Sequence, residues 1–201
     1  MSDTRFMRRR AAAMFAAALL FLPGTSSALA ADTGAIKKKA EACVACHGAD
    51  GNSTNDVVPS LAGQPKQFIT TQLVMFREGN RKDPQMSPMA ANLSNADIND
   101  FGTYFSAQKP APPRQSTVPD KVAAGRRLTE RNHCVSCHGP ALMGQQHIPR
   151  LAGQQREYLR TQLRGFKAGT RFDMDGNMTP AAQALSDTDV EILADYLAGM
   201  K

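Results

Sequence analysis

Two short clusters of cysteine and histidine are the residues of this sequence best suited to bind a metal or a cofactor. They are Cys43-x-x-Cys46-His47 and, 91 residues further on, Cys134-x-x-Cys137-His138. Together the clusters use all four Cys of the chain and two of its four His. Two thiols at this spacing can reach the vinyl groups of a porphyrin while the adjacent His binds its iron, which is the attachment signature of c-type haem.

Three other kinds of site also use cysteines at this spacing. The four Cys could form two disulfide bonds, the two pairs could bind zinc, or one pair could be a thioredoxin-like redox centre. None of these sites explains why a His follows immediately in both copies, and the thioredoxin site also needs a βαβ context that the sequence lacks. The duplicated motif therefore favours two covalently bound haem c groups.

The motifs belong to a longer repeat. At offsets of 90 to 92 residues, the second copy repeats a Pro-x-Leu-Ala-Gly-Gln stretch, a Thr-Gln-Leu stretch, a Gly-x-Arg stretch, a Met before Ser/Thr-Pro, and a Leu-Ser-x-x-Asp stretch. A long period that occurs twice indicates a tandem domain duplication and not a solenoid. We predict an N-terminal domain over residues 31–109, a stiff Pro-rich linker over 110–117 and a C-terminal domain over 118–201.

The hydrophobic pattern of both copies is helical. Ser94 and Ser186 each precede an Asp by three residues, as in a capping box, and apolar residues then follow at helical spacing. No stretch alternates with period two, so we predict an all-α fold whose long loops surround a bound group. The other predicted helices are 34–42 and 125–131, which lead into the Cys motifs, and the middle helices 68–76 and 158–166.

An electron-carrying haem iron needs a second axial ligand, and Met is one that raises the reduction potential. Met86 and Met178 are the candidates, because they lie 39 and 40 residues past their His and are both followed by Ser/Thr-Pro. The other Met residues either do not recur or lie in a loop of unequal length. His133 and His147 do not recur and are predicted to be surface residues; ligation of the second haem by two His would instead leave Met178 spare.

A ligating His also needs a hydrogen-bond partner for the ring nitrogen that does not bind the metal. Pro59 and Pro149 lie about a dozen residues past His47 and His138, where their carbonyl oxygens could accept that bond. A proline at such a position is equally often an ordinary turn residue. The residues alone leave both interpretations open.

The first 30 residues are typical of an export signal. Four Arg lie near the start, an apolar run follows from Ala11 to Leu22, and Ala28-Leu29-Ala30 has the Ala-x-Ala pattern of a cleavage site. The apolar run is shorter than the roughly 20 residues that span a bilayer. Cleavage after residue 30 lowers the formal net charge from +6 to +3, so most of the basic excess belongs to the signal. We therefore predict a periplasmic protein with no nucleic-acid partner.

The sequence resembles the dihaem cytochromes c4. The resemblance rests on the two Cys-x-x-Cys-His motifs, the run from His47 to Ser53, the two Pro-x-Leu-Ala-Gly-Gln stretches, and the Met residues before Leu-Ser-x-x-Asp. It implies two class I cytochrome c domains that are related by approximate two-fold symmetry. The second copy departs from the pattern, with Pro140-Ala141-Leu142-Met143 in place of the Asp-Gly-Asn-Ser run.

The resemblance also implies the residues of both haem sites. Each domain would hold one covalent haem c with His and Met as axial ligands, and a Pro carbonyl would accept from each His ring. The implied sets are Cys43, Cys46, His47, Met86 and Pro59 for the first haem, and Cys134, Cys137, His138, Met178 and Pro149 for the second.

Members of this family are periplasmic electron carriers, and some associate with the membrane. The resemblance therefore implies a carrier without enzyme activity that works between an upstream cytochrome or quinol oxidoreductase and a terminal oxidase. One alternative is a cytochrome subunit of a flavoprotein or another redox complex, in which the same domains would serve. A second is a dihaem peroxidase or a thiosulfate-oxidising enzyme, which needs an open or unusual iron site that two matched Met candidates argue against. A haem gas sensor is the least favoured, because the sequence has no output domain.

Overall fold

The computed structural model describes residues 33–116 and 119–201, and within these ranges all regular structure is helical apart from one isolated bridge between Gln145 and Ile148. The predicted all-α fold is confirmed. The predicted export signal lies outside the described residues. The first repeat contains α1 (Thr33–His47), a 3₁₀ turn (Ala49–Gly51), α2 (Lys66–Arg77), α3 (Met86–Ala90) and α4 (Asn95–Ser106). The second contains α5 (Pro119–Arg131), α6 (Cys134–His138), α7 (Arg156–Lys167), α8 (Met178–Gln183) and α9 (Asp187–Ala198).

The helices that lead into the Cys motifs differ from their predicted bounds. In the first repeat, α1 continues without a break through the motif to His47. In the second repeat, His133 has a left-handed backbone conformation with φ of 55° and separates α5 from α6. The predicted end of the first helix at residue 42 is therefore wrong, whereas the second copy does have a break before its motif.

The last helix of each repeat packs against the first helix and the middle helix of that repeat. In the first repeat, α4 packs against α1 and α2, and in the second, α9 packs against α5 and α7. The crossing of α5 and α9 is especially close at Gly125, where an added Cβ atom would lie 2.3 Å from Cβ and Cγ of Tyr196. Only glycine allows these two helices to approach so closely, which explains the Gly that precedes the second motif.

Approximate two-fold symmetry between the repeats is evident in four reciprocal hydrogen bonds. The side-chain amide of Gln154 spans the backbone of Ser60, accepting from its N–H at 2.8 Å and donating to its carbonyl at 3.0 Å. The equivalent Gln64 spans the backbone of Arg150 in the same way, at 2.9 and 3.0 Å. All four residues are buried. The repeats therefore join through a matched pair of amide contacts, as the predicted two-fold arrangement requires.

The segment predicted to be a linker begins in contact with the first repeat. The side chain of Asn52 accepts from the backbone N–H of Ala111 at 2.7 Å and donates to the carbonyl of Lys109 at 3.1 Å. Asn52 thus bonds to the backbone on both sides of residue 110, where the predicted linker begins. Over the described parts of the chain, no helix combines the length and the apolar character needed to cross a bilayer.

Candidate functional site

His47 is the last residue of α1, and one of its ring nitrogens lies close to Pro59. Its side chain is buried, and Nδ1 lies 2.8 Å from the carbonyl oxygen of Pro59. Because a carbonyl can only accept, Nδ1 carries the hydrogen and Nε2 keeps its lone pair for a metal. Burial lowers the pKa of His47, against the opposing effect of the Pro59 hydrogen bond. The ring is therefore held neutral and correctly oriented for ligation.

The second repeat reproduces this arrangement. His138 ends α6, is equally buried, and places Nδ1 at 2.9 Å from the carbonyl oxygen of Pro149. Burial lowers the pKa of His138 too, with the Pro149 hydrogen bond opposing it. Two separate parts of the chain thus present a neutral imidazole with Nε2 available, in matching surroundings.

The four cysteines also form matched pairs. Cys43 and Cys134 are half-buried, whereas Cys46 and Cys137, three residues later on the same helix, are exposed. None of the four forms a disulfide bond, although all lie within the described ranges. Burial raises the pKa of the Cys43 and Cys134 thiols, which is the opposite of what a thioredoxin-like nucleophile needs. No three His, Cys, Asp or Glu side chains of the described residues gather into a possible metal site, so the zinc alternative has no geometric support.

Met86 and Met178 occupy equivalent places, as the first residues of α3 and α8, and both are half-buried. An aspartate three to five residues earlier holds each of these helix starts. Asp83 accepts from the backbone N–H of Met86 at 2.8 Å, and Asp173 accepts from that of Met178 at 3.1 Å. Sequence reasoning missed both aspartates, although the recurrence of Arg-x-Asp at an offset of 90 residues was a signal that could have found them.

The remaining Met and His candidates have other surroundings. His133 is exposed beside the start of α6, and Nε2 of His147 lies 2.5 Å from a carboxylate oxygen of Asp175. Neither recurs in the first repeat. Three further Met residues are at least 45% exposed, namely Met89, Met143 and Met174. Met75 is buried within α2.

These residues fit a covalently attached haem. Each repeat offers a neutral buried imidazole, two thiols on the same short helical stretch and a half-buried Met. Beside Met178, the hydroxyl of Thr179 is buried without a hydrogen-bond partner, which leaves a polar atom for a group bound there. Among the described residues of the first repeat, the buried cluster of Ala40, Ile69, Phe101 and Phe105 is small and is surrounded by half-buried apolar side chains, and an apolar macrocycle would complete such a core.

Comparison with known proteins agrees with this geometry. A family model described as Cytochrome c matches residues 34–108 and 122–201. The chain is 34% identical over 181 residues to cytochrome c4 of Pseudomonas aeruginosa, which covers 85% of this chain and 90% of that protein. It is 36% identical over 172 residues to the thiosulfate dehydrogenase electron acceptor of Thiomonas intermedia, covering 80% and 79%. The crystal structure of reduced recombinant cytochrome c4 from Pseudomonas stutzeri has a TM-score of 0.77 and 32% identity, covering 85% of this chain and 99% of that one.

Proposed function

Because the chain belongs to the cytochrome c family, as one of its dihaem cytochromes c4, we propose that it carries electrons through the periplasm towards a terminal oxidase. Two covalently bound haem c groups are its cofactors. The observation that carries the proposal is the matched pair of His-to-Pro hydrogen bonds, since each repeat prepares one ring nitrogen in the same way for an iron. Two equivalent one-electron centres in one chain suit a carrier.

The proposal assigns one haem to each predicted domain, over residues 31–109 and 118–201, with the linker at 110–117 between them. The matched burial of the thiols and the equivalent helix starts support the assignment. The assigned residues are Cys43, Cys46, His47 and Met86 with Pro59 for the first haem, and Cys134, Cys137, His138 and Met178 with Pro149 for the second.

The bound haem supplies one-electron chemistry, as its iron alternates between the ferric and ferrous states. The His and Met of each repeat would occupy both axial positions and keep dioxygen and peroxide off the iron, which favours outer-sphere transfer over catalysis. The Pro59 and Pro149 carbonyls fix the imidazole planes, so little needs to rearrange when an electron arrives or leaves.

The proposed location rests on the first 30 residues, whose charged, apolar and Ala-x-Ala segments follow one another in the order of an export signal. In the periplasm the protein would accept electrons from an upstream cytochrome or quinol oxidoreductase and pass them on to the oxidase. Peripheral association with the membrane would keep the carrier near a quinol oxidoreductase or a terminal oxidase.

A pyridine haemochrome assay combined with mass spectrometry of the secreted protein tests the cofactor count and the export together. We expect two covalent haems on a chain that begins near residue 31. One haem, no haem or an uncleaved N-terminus would contradict the corresponding part of the proposal. Oxidation of the reduced protein by membranes that contain a terminal oxidase, and its block by cyanide, tests the direction of electron flow.

A second candidate is an electron acceptor for a thiosulfate-oxidising enzyme, in a transient or permanent complex. It is favoured by the similarity to the thiosulfate dehydrogenase electron acceptor of Thiomonas intermedia, which is 36% identical to this chain, against 34% for cytochrome c4 of Pseudomonas aeruginosa. Stopped-flow mixing with a purified thiosulfate dehydrogenase and thiosulfate separates the two candidates. Rapid reduction of the haems there, with slow oxidation by the membranes, would favour the second.

A further inference from the structure

A cavity lies where the two repeats meet the segment predicted to be a linker. Its volume is about 170 Å³, and residues of all three parts of the chain line it. Among them are Ser60 of the first repeat, Arg150 of the second, and Arg114 and Gln115 of the predicted linker. Ser60 and Arg150 are equivalent in the repeat, and the haem ligation described above gives neither side chain a role.

Arg150 is a buried cation whose hydrogen-bond partners are neutral. The residue is 3% exposed. Its guanidinium donates to the carbonyl of Ala152 and, across the interface between the repeats, to the carbonyl of Ala62 at 3.0 Å. Among the described residues no carboxylate pairs with it, and its buried Nε has no hydrogen-bond partner. Burial lowers the pKa of Arg150, because it penalises the charged form. An anion in the cavity would stabilise this charge.

Ser60 is a second buried donor that needs an acceptor. The residue is 6% exposed. Its hydroxyl oxygen accepts from the backbone N–H of Ser53 at 3.1 Å and from the side-chain amide of Gln155 at 3.3 Å. A hydroxyl has two lone pairs and one hydrogen, so these two bonds use both lone pairs. The hydrogen is left to donate to a group in the cavity, as buried polar groups ordinarily do.

The predicted linker contributes an acceptor and a further positive charge. The side-chain oxygen Oε1 of Gln115 is buried and has no donor among the described residues. The side chain of Arg114 is 51% exposed, donates to the carbonyl of Thr54, and lies 3.9 Å from a carboxylate oxygen of Asp56. Asp56 offsets part of the charge of Arg114, in contrast to the buried charge of Arg150.

These groups together describe the chemistry of a ligand. Arg150 and Ser60 need oxygen atoms that accept hydrogen bonds, and the positive charge of Arg150 favours a negative ligand. Gln115 needs a hydrogen-bond donor, which a hydroxyl on the same ligand would supply. Sites for drug-sized ligands have volumes of about 300–1,000 Å³, so this cavity is better matched to a small ion. Hydrogenphosphate combines the charge, the acceptor oxygens and the hydroxyl.

We propose that this cavity binds a small oxyanion that retains one hydroxyl, as hydrogenphosphate does, through Arg150, Ser60 and Gln115. Because these residues belong to the two repeats and to the segment between them, the anion joins three parts of the chain. Its binding stabilises the folded state by mass action. The proposed ligands of both haems lie outside the set of residues that line the cavity, so the site does not depend on the proposed electron transfer.

Calorimetric titration of the purified protein, with both haems attached, tests the site directly. Inorganic phosphate is added at constant ionic strength in mildly alkaline buffer, in which the hydrogenphosphate dianion predominates. We expect one saturable site per chain and a rise in the temperature of thermal unfolding. Sulfate has the same charge but no hydroxyl, so it should bind about tenfold more weakly.

Two variants remove the donors one at a time. Ser60→Ala and Arg150→Lys should each weaken phosphate binding about tenfold, since Ser60→Ala loses the hydroxyl and Arg150→Lys keeps the charge but loses the Nε–H group. Ser106→Ala and Arg164→Lys are the matched controls. The Ser106 hydroxyl bonds within α4, Arg164 is exposed on α7, and neither residue lines the cavity. Both controls should keep the wild-type affinity.

The acceptor is tested by Gln115→Met, which should make the affinities for phosphate and sulfate equal. Equal affinities in the wild-type protein, or a preference that persists in this variant, would overturn the requirement for a hydroxyl.

Absence of saturable phosphate binding to the wild-type protein would show that the cavity holds water only and would overturn the site. Wild-type affinity in both donor variants would overturn it as well. If Arg150→Lys fails to fold, Ser60→Ala removes a single oxygen atom and still decides the outcome. The haem count of the wild-type protein tests the proposed electron carrier separately.

Discussion

At one point in the core, the two repeats exchange large and small residues. Gly51 in the first repeat is equivalent to Leu142 in the second. The backbone carbonyl of each accepts hydrogen bonds from the N–H groups of the Leu and Ala in the Pro-x-Leu-Ala-Gly-Gln stretch of its own repeat. The facing position is Phe105 in the first repeat and Leu197 in the second. The backbone carbonyl of each accepts from the N–H of the glycine in the Leu-Ala-Gly sequence of its own repeat. A Cβ added at Gly51 would lie 2.7 Å from the Phe105 ring. The fold therefore preserves the filled volume and not the residue at either position.

The exchange has a conformational consequence. The backbone at this turn is left-handed in both repeats, with φ of 77° at Gly51 and 56° at Leu142. Glycine adopts this conformation freely, whereas a leucine there costs of the order of 1 kcal/mol. Leu142 is 1% exposed and belongs to a larger buried cluster than any in the first repeat. Its burial offsets the strain, so the second repeat depends more on its own side chains for a core.

The largest expected difference between the repeats comes from removing one axial ligand at a time. Met178→Ala should open only the second haem to carbon monoxide, and Met86→Ala should open only the first, because each proposed ligand serves one iron. Carbon monoxide difference spectra of the reduced proteins measure the fraction of haem that reacts, which should be half in each variant. A variant that binds no carbon monoxide would show that its Met is not the ligand.

The size exchange itself can be broken and restored. Gly51→Leu should destabilise the protein by about 3 kcal/mol, because the new side chain meets Phe105 at a strained backbone position. Adding Phe105→Leu, which copies the second repeat, should recover about half of that loss. Denaturant unfolding of the single and double variants measures the coupling. Strictly additive effects would contradict the volume exchange.

The reciprocal amide contacts provide a test of how equal the two repeats are. Gln64→Ala and Gln154→Ala each leave a buried N–H and a buried carbonyl of the other repeat unsatisfied, which costs about 2 kcal/mol. Gln154→Ala should cost somewhat more, because Gln154 also accepts from the backbone N–H of Gln155 at 3.0 Å. Thermal unfolding of both variants measures which substitution destabilises the protein more. A larger loss of stability for Gln64→Ala would contradict the prediction.

The smallest expected difference concerns acid. The Lys39 ammonium and the Ser94 cap lower the pKa of Asp97 to about 2, whereas in the second repeat the pKa of Asp189 is lowered chiefly by its Ser186 cap. A lowered carboxyl pKa stabilises the folded state above its ordinary value and loses that effect as the pH falls towards 2. Lys39→Met should therefore flatten the decline in stability between pH 5 and pH 2 measured by urea unfolding. An unchanged slope would show that the exposed pair with Lys39 contributes nothing.

Local patterns explain why much of the fold could be predicted. The capping box at the start of α4 depends only on Ser94 and Asp97, which exchange two hydrogen bonds at 3.1 Å, and it was predicted from their spacing. The end of α1 was not, because the boundary at residue 42 assumed a break that no residue encodes. The ligand assignment stays a prediction, since it concerns atoms that only a bound haem brings together.

Contacts between the repeats could not be foreseen. Gln64 and Gln154 belong to a recurring stretch, but nothing in their spacing indicates that each amide would span the backbone of the other repeat. The same holds for Arg81, whose hydrogen-bond partners Tyr158 and Gln162 are 77 and 81 residues away in the sequence. Asp83 and Asp173 are different, because their role is local and their recurrence was visible in the sequence.

The reciprocal contacts of Gln64 and Gln154 are those of a homodimer whose two subunits have become one chain. A continuous chain makes the association of the two repeats intramolecular, so their contact does not depend on protein concentration. A homodimer must change both copies of a residue at once, whereas a fused pair can change one. The Ser60 and Arg150 backbones, which occupy the same place in the two halves, carry a small hydroxyl and a buried guanidinium. Because the two halves are parts of one chain, they can differ chemically at equivalent positions and still remain together.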